Sequence, residues 1–214
     1  MEGSTDMSSI SIVGGGYMTR ALADRALDGG NAVEVIGRDT VKAESLAREL
    51  GRGATAGKIG DVPGGDIVIL AIPYASAAGV VRQYGDALSG KVIIDISNTF
   101  DPSTWNGLLV PDGTSGAQQI AGAAPADAPV VKAFNTIFGT VLAKGGPLDV
   151  LMAGDDEQAK AAVSAFIISL GMRPLDAGPL TMARRLEEAG LLMIGLGRHG
   201  VGNFDFSLAI NTAG

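Results

Sequence analysis

The chain has 214 residues and a formal net charge of −7, with 46% hydrophobic and 18% charged residues. This length holds one well-buried domain, or one domain with a small appendage, and the composition excludes a disordered or coiled-coil protein. The negative charge repels phosphate polymers and anionic lipid surfaces, so we expect neither a nucleic acid nor a membrane as a partner.

The chain contains no cysteine and a single histidine, His199. Disulfides, zinc–thiolate sites, iron–sulfur clusters and thiol nucleophiles are therefore excluded, and a serine–histidine–aspartate triad would have to use His199. We expect no metal site. The first residues lack the basic segment and apolar core of a signal peptide, and no apolar run approaches the ~20 residues of a membrane span, so we expect a cytoplasmic protein.

Short runs rich in β-branched residues alternate with segments of helical periodicity, a pattern typical of βαβ units around a parallel sheet. The predicted strands are 9–13, 32–36, a short one in the glycine-rich stretch after residue 51, 67–72, 91–95, 130–134, 149–153 and 174–177. The predicted helices are one whose apolar face runs from Met18 to Leu27, then 40–50, 76–88, 116–121, 155–170 and 181–196. The alternating residues Phe204, Phe206, Leu208 and Ile210 predict a final, half-buried edge strand.

A glycine-rich turn separates the first predicted strand from the first predicted helix. In a dinucleotide-binding turn, Gly14 permits the tight bend, Gly16 removes a side chain that would block a pyrophosphate, and the helix N-terminus offers free amides. Thr19 stands where the G-x-G-x-x-G pattern has its third glycine, so the match is incomplete. We expect Gly14, Gly16, Tyr17, Met18 and Thr19 to bind a cofactor, with a ligand-free turn as the alternative.

The end of the second predicted strand indicates which dinucleotide is bound. NAD-binding folds place an acidic residue there, whereas this sequence has Arg38, with Lys42 one turn further on. Two cations at a helix N-terminus are unfavourable unless an anion lies between them, and a ribose 2′-phosphate supplies that anion. We therefore expect NADP(H), bound by Arg38 and Lys42. The alternative is that Asp39 is a plain N-cap and both cations are solvated.

The strand–helix alternation and the glycine turn together predict an α/β fold of the Rossmann type, with a doubly wound, mainly parallel sheet and a small C-terminal extension. We expect residues 1–144 to form the NADP-binding core. Residues 145–214 are expected to form a β-α-β-α extension that packs on the same sheet, as one compact unit.

Four segments carry a resemblance to a known family: Ile12–Leu22, Ile36–Arg38, Leu70–Tyr74 and, most specifically, Arg173–Leu180. Through them the chain resembles the NADPH-dependent reductases of the deazaflavin coenzyme F420, dinucleotide-binding oxidoreductases that share a fold with the cytosolic domain of membrane ferric reductases. The resemblance implies that the glycine turn holds the pyrophosphate and that Arg38 and Lys42 hold the 2′-phosphate.

The same resemblance places Ile72, Pro73 and Tyr74 along the cofactor. We expect Ile72 and Pro73 beside the nicotinamide and Tyr74 beside the ribose, the alternative being that Pro73 only terminates its strand. The sequence departs from archaeal-type members of the family, which carry histidine where Asn135 falls, and it resembles bacterial relatives there.

Hydride transfer between NADPH and a deazaflavin needs little beyond two stacked rings and the exclusion of water. Polar residues at the carboxyl ends of parallel strands border such a crevice. We expect Ser97 and Asn98 to contact the cofactor and Asn135 and Thr136 to lie near the acceptor. The alternative is that these residues only bond their own turns.

The sequence allows two roles each for Lys132 and His199. Lys132 either orients a phosphate or pairs with a carboxylate, and a surface salt bridge is the simpler prediction. His199 lies in a glycine-flanked segment, where it is either solvated or in contact with the substrate.

The sequence therefore predicts an NADP(H)-dependent oxidoreductase that transfers hydride between NADPH and a deazaflavin or a related flavin-like acceptor, a small molecule. The alternatives are an NADP-dependent dehydrogenase of a small hydroxy acid or imine, and a non-catalytic NADP(H)-sensing module. The apolar last helix and the run from Phe204 to Ile210 suggest a homodimer.

Overall fold

The computed structural model describes residues 8–101, 103–105 and 107–211. The strands are β1 Ser9–Val13, β2 Ala32–Gly37, β3 Thr55–Lys58, β4 Ile67–Leu70, β5 Val92–Asp95, β6 Val130–Ala133, β7 Asp149–Gly154 and β8 Arg173–Asp176. The helices are α1 Tyr17–Asp28, α2 Thr40–Leu50, α3 Tyr74–Tyr84, α4 Gly116–Ala121, α5 Gly139–Lys144, α6 Glu157–Ser169 and α7 Ala183–Arg198. Short 3₁₀ turns lie at Gly85–Leu88, Leu180–Met182 and Gly202–Phe204.

The eight strands form one sheet in the order β3-β2-β1-β4-β5-β6-β7-β8. All neighbours from β3 to β6 are parallel, β7 is antiparallel to β6, and β8 is parallel to β7. The chain leaves β3 at one edge and re-enters beside β1 as β4, which makes the carboxyl ends of β1 and β4 a topological switch point, where such folds bind ligands. This topology confirms the predicted Rossmann-type fold class. The division at residue 144 stays a prediction.

The two faces of the sheet bury two separate clusters of apolar side chains. Ile67 and Ile69 of β4 pack in the cluster under α1, α5 and α6, whereas Val68 and Leu70 pack in the cluster under α3 and α4. Successive side chains of a strand point to opposite faces, so an unbroken apolar run is what a strand covered on both sides requires. None of the described helices is both long and apolar enough to cross a lipid bilayer.

Helices α3, α6 and α7 differ from their predicted bounds, and α5 was not predicted. The helix predicted from residue 76 begins at Tyr74, directly after Pro73, whose fixed backbone angle suits the residue before a helix. The six-residue helix α5 was not predicted, because it is too short to show a helical period and no capping side chain marks its start, whereas Ser115 caps the equally short α4.

The predicted edge strand at the C-terminus is wrong. Residues 205–211 form no strand, and Asn203 and Phe204 adopt left-handed backbone angles, with φ of 47° and 64°. Phe204 and Phe206 both pack edge-on against Phe138, at centroid distances of 5.4 and 5.3 Å. The apolar alternation therefore reflects an aromatic cap on α5, not pairing with a strand.

Candidate functional site

A cleft of about 740 Å³ opens at the carboxyl ends of β1, β2 and β4. Six residues that the sequence predicts as cofactor ligands line it: Gly14, Gly16, Arg38, Lys42, Ile72 and Pro73. The turn after β1, the start of α2 and the loop after β4 thus meet around one space. This is the switch point of the sheet, and the cleft is the candidate site.

The glycine turn is held closed from both neighbouring strands. The Gly14 amide donates to the carbonyl of Ile36 at 2.8 Å, and the Ala71 amide donates to the carbonyl of Val13 at 2.8 Å. A Cβ atom at Gly14 would clash with the carbonyl oxygen of Ala71, and φ of 148° there favours glycine. Gly14 therefore lets β1 and the end of β4 approach closely.

Gly15 and Gly16 have a different role, because a Cβ atom at either position would meet no atom within 4 Å. Gly16 is the N-cap of α1, no side chain caps that helix, and its first turn holds no acidic residue. By contrast, Asp39 caps α2 by accepting from the Lys42 amide at 3.2 Å. Uncapped amides and open space beside a helix N-terminus are what a pyrophosphate requires. The turn fits the predicted cofactor.

Three residues predicted as cofactor ligands lie around the turn but do not line the cleft. Thr19 is fully buried, and its hydroxyl finds no hydrogen-bond partner in the described part of the chain. It occupies the space beneath Gly14 that a third glycine would leave open. Tyr17 and Met18 pack against Gly139 at the start of α5. Their contact with a cofactor stays a prediction.

The two predicted phosphate-binding cations both reach the cleft. The Lys42 side chain is 86% exposed and lies 3.6 Å from the carboxylate of Asp39. The Arg38 guanidinium has neither a hydrogen bond nor an ion pair with any described residue. A free guanidinium in the cleft that also holds an uncapped helix N-terminus is suited to a bidentate phosphate contact. The 2′-phosphate assignment stays a prediction that these residues fit.

An ion pair on the cleft wall was missed by the sequence analysis. Arg20 of α1 pairs with Glu49 of α2, and both line the cleft. The hydrogen bond from Arg20 is the main reason why the pKa of Glu49 lies below its usual value. Three polar residues of α2 line the cleft at helical spacing: Lys42, Ser45 and Glu49. From this spacing, the sequence could have predicted that Glu49 lies on the same side of the helix as Lys42.

Of the three residues after β4 that were predicted to lie along the cofactor, two line the cleft and one does not. Ile72 and Pro73 line the cleft, whereas the Tyr74 hydroxyl donates to the side-chain oxygen of Gln119 at 2.7 Å. This bond joins the start of α3 to α4, outside the cleft lining. The predicted contact of Tyr74 with the ribose is not tested by this arrangement.

The ends of β5 and β6 are joined by a pair of asparagines. The Asn135 side-chain nitrogen donates to the Asn98 side-chain oxygen at 3.0 Å and to the Leu186 carbonyl of α7 at 2.7 Å. In return, the Asn98 side-chain nitrogen donates to the Asn135 carbonyl at 3.1 Å. Residues predicted separately from two strands therefore form one unit.

Polar atoms without protein partners remain beside that pair. The Asn135 side-chain oxygen and the Ser97 hydroxyl are buried and have no partner among the described residues. Thr136 is buried as well. Neither these residues nor Asn98 line the cleft at the glycine turn, so their predicted contacts with the cofactor and the acceptor stay predictions.

The surface salt bridge predicted for Lys132 is wrong. Lys132 is fully buried and its ammonium group donates to the Asp95 carboxylate at 2.8 Å and to the Ser97 carbonyl at 2.5 Å. Glu187 of α7 lies 3.2 Å from the same ammonium. Lys132 stands inside an apolar strand, and a charge in such a position must be paired. The need to pair a buried charge indicated that Lys132 has a carboxylate partner, but the sequence did not indicate that Glu187 of α7 is one of its partners.

His199 ends α7 and is exposed. No described element brings it to the cleft lining. Across 8–101, 103–105 and 107–211, no group of three or more histidine, cysteine, aspartate or glutamate residues has a geometry that could hold a metal ion.

A doubly wound sheet whose switch point carries an uncapped glycine turn and two cations defines a dinucleotide-binding α/β protein. Residues 9–99 match the family described as NADP oxidoreductase, coenzyme F420-dependent. This segment is 91 of the 214 residues, and through it the predicted resemblance to that family is confirmed.

Three similar proteins extend the comparison beyond residue 99. The metalloreductase STEAP3 of Rattus norvegicus is 30% identical over 189 residues, which cover 86% of this chain and 37% of the relative. The F420-dependent NADP reductase of Methanocaldococcus jannaschii is 31% identical over 140 residues, which cover 62% of each protein. A solved structure from Arthrobacter sp. FB24, assigned to the F420-dependent NADP reductases, has a TM-score of 0.80 and 28% identity over 94% of this chain and 99% of that one.

The chain spans 37% and 62% of the two curated relatives. The comparisons show similarity in sequence to these proteins and in fold to the solved structure. Their complete activities are not carried over with the fold.

Proposed function

We propose that this protein is an NADP(H)-dependent oxidoreductase that transfers hydride between NADPH and a deazaflavin or a related flavin-like small molecule. The observation that carries the proposal is the uncapped turn at Gly16, which faces a cleft shared with the unpartnered Arg38. The family of residues 9–99 supports the choice of an F420-type acceptor.

The chain's own residues bind and orient the dinucleotide. The free amides after Gly16 donate hydrogen bonds to the pyrophosphate, and Arg38 and Lys42 bind the 2′-phosphate. Ile72 and Pro73 form an apolar wall at the end of β4. When bound, NADPH supplies a hydride, and the acceptor takes up this hydride together with a proton. No general acid or base is required from the protein for the hydride itself.

The acceptor side of the proposal rests on the ends of β5 and β6. The asparagine pair fixes the orientation of Asn135, whose buried side-chain oxygen has no hydrogen-bond partner among the described residues. We assign Asn135 and Thr136 to the acceptor side and Ser97 and Asn98 to the cofactor side. A polar, rigid strand end of this kind orients a ring without reacting with it.

A homodimer is also part of the proposal. Leu192 and Leu196, four residues apart on α7, have 64% and 41% of their surface exposed and form an apolar strip on this helix. Val201 and Phe204, which follow the helix, are exposed as well. Apolar strips on a helix are common self-association surfaces. Sedimentation velocity of the wild type against Leu192→Glu tests this, since a dimer that uses the strip becomes a monomer in the variant, and an unchanged mass refutes the surface.

One assay tests the proposed reaction. Purified protein is mixed with NADPH and oxidised deazaflavin coenzyme, the loss of the visible deazaflavin absorbance is followed, and the mixture is repeated with NADH and with free flavin. Rapid bleaching with NADPH alone is the expected result. NADPH consumption only in the presence of an imine or a keto acid supports the dehydrogenase alternative, and persistence of NADPH with every acceptor supports a sensing module.

A further inference from the structure

Three charged side chains lie buried together below the ends of β5 and β6, and we call Asp95, Lys132 and Glu187 the charge triad. Each side chain has no exposed surface. The Lys132 ammonium is 2.8 Å from the Asp95 carboxylate and 3.2 Å from the Glu187 carboxylate. One ammonium and two carboxylates give the triad a formal charge of −1.

The second carboxylate is solvated by dipoles and not by a second cation. Glu187 accepts hydrogen bonds from the Thr99 hydroxyl at 2.8 Å and from the Gly116 amide at 3.0 Å, with the Ala117 amide at 3.4 Å. These donors make a buried carboxylate tolerable, but they add no unit charge. The field of the extra negative charge therefore persists in a region of low dielectric.

The triad is bonded to the strand ends assigned above to the cofactor and the acceptor. Lys132 donates to the carbonyl of Ser97, and Asp95 accepts from the Ser97 amide at 2.9 Å. Glu187 directly follows Leu186, whose carbonyl accepts from Asn135. Asp95 lies two residues before Ser97, and Lys132 is one hydrogen bond from Ser97. Glu187 is the neighbour of Leu186, the residue that Asn135 contacts. Ser97 and Asn135 are the residues assigned above to the cofactor and the acceptor.

We propose that the charge triad makes this site favour NADP⁺ over NADPH, an inference that rests on the proposed function. The two forms carry the same phosphates and differ by one hydride, so that the oxidised ring is a cation and the reduced ring is neutral. A buried negative charge stabilises the cationic ring selectively. The same field lowers the barrier for hydride loss from NADPH, because positive charge develops on the ring in that step.

The test is the ratio of two dissociation constants. Binding of NADP⁺ and of NADPH is measured by titration calorimetry for the wild type and for Glu187→Gln, which removes the charge but keeps a hydrogen-bonding side chain. Two unit charges about 10 Å apart in a medium of effective dielectric constant about 20 change an equilibrium constant by about tenfold. We therefore expect Glu187→Gln to raise the Kd for NADP⁺ relative to the Kd for NADPH by several-fold to about tenfold.

The matched control removes a carboxylate that lies towards the amino-terminal ends of the strands, away from the carboxyl ends where the charge triad lies. Glu34 accepts from Ser11 at 2.6 Å and from the Gly64 amide at 2.9 Å, near the amino-terminal ends of the strands. Glu34→Gln is expected to leave the ratio of the two dissociation constants unchanged. Asp95→Asn is the second test variant, because it removes one charge of the triad without altering α7, and it should shift the ratio in the same direction as Glu187→Gln.

A purely structural role predicts a different result, since a distorted site loses affinity for both forms alike. If the dissociation constants of NADP⁺ and NADPH rise by the same factor in both triad variants, so that their ratio is unchanged, the inference is overturned and the proposed function stands. Failure of the wild type to bind either form removes the proposed function, and the inference with it.

Discussion

The Asn135 side chain donates to the carbonyl of Leu186 at 2.7 Å, and this bond joins the end of β6 to the first turns of α7. The next residue of α7, Glu187, reaches Lys132 of the same strand. Two adjacent residues of the last long helix are therefore bonded to one strand end. The C-terminal helix is therefore fixed to the end of β6 by two side-chain contacts.

Arg38→Asp should weaken NADPH far more than NADH. Arg38 faces the cleft without a protein partner, and hydrogen bonds to a charged group contribute about 1.5–3 kcal/mol, which corresponds to a loss of about 10- to 100-fold. Fluorescence titration with both cofactors measures the effect. Arg48→Asp makes the same charge change on α2 outside the cleft lining and should affect neither cofactor. Equal losses of NADPH and NADH in Arg38→Asp would exclude a 2′-phosphate contact.

Gly16→Val should abolish the binding of both cofactors in a protein that remains folded. A Cβ atom at Gly16 meets nothing within 4 Å, so the valine fills the space reserved for the pyrophosphate without displacing the protein. Calorimetric titration and thermal unfolding are measured on the same sample. Tight binding by a folded variant contradicts the assignment of this turn.

Gly14→Ala should act on stability instead. Its backbone angle is strained for alanine, and the new methyl group would collide with the Ala71 carbonyl, so we expect a loss of about 3 kcal/mol in the free energy of unfolding. Urea denaturation measures it. Gly15→Ala is the control, because Gly15 is the next residue and an added Cβ atom there meets nothing within 4 Å. Its free energy of unfolding should stay within about 1 kcal/mol of the wild type.

Lys132→Met should lower the free energy of unfolding by about 3–5 kcal/mol, because it leaves two buried carboxylates without their cation. Lys144→Met removes an exposed lysine that pairs with Asp205, and its cost should not exceed about 1 kcal/mol. Urea unfolding of both variants gives the comparison. Similar costs for the two substitutions are incompatible with a buried charge triad.

Tyr84 should make stability depend on alkaline pH. Burial raises the pKa of its phenol from 10 to about 12, so the folded protein holds the proton more tightly than the unfolded chain. The stabilisation is complete below pH 10 and is lost as the pH rises towards 12. Tyr84→Phe should flatten this part of the curve of unfolding free energy against pH. A variant whose curve follows that of the wild type shows that Tyr84 is not responsible.

The elements that the sequence predicted well are those with repeated local signals. The unbroken apolar run at 67–70 marked a strand covered on both faces, and the aspartate before α2 marked a helix start. The glycine turn was found because its residues are adjacent in the chain. The six residues of α5 show no comparable helical period. The apolar alternation that begins at Phe204 resembles that of a strand, but in the structure Phe204 packs against Phe138 instead.

By itself, the sequence determined the class of fold, the glycine turn and the cations that follow β2, because each depends on residues close together in the chain. Only the tertiary structure decided which charges meet. Lys132, Asp95 and Glu187 are separated by tens of residues, and burial forces each to find a partner without specifying which one. The packing of α7 across the ends of β5 and β6 makes that choice, because it brings Glu187 to the lysine that Asp95 already pairs with.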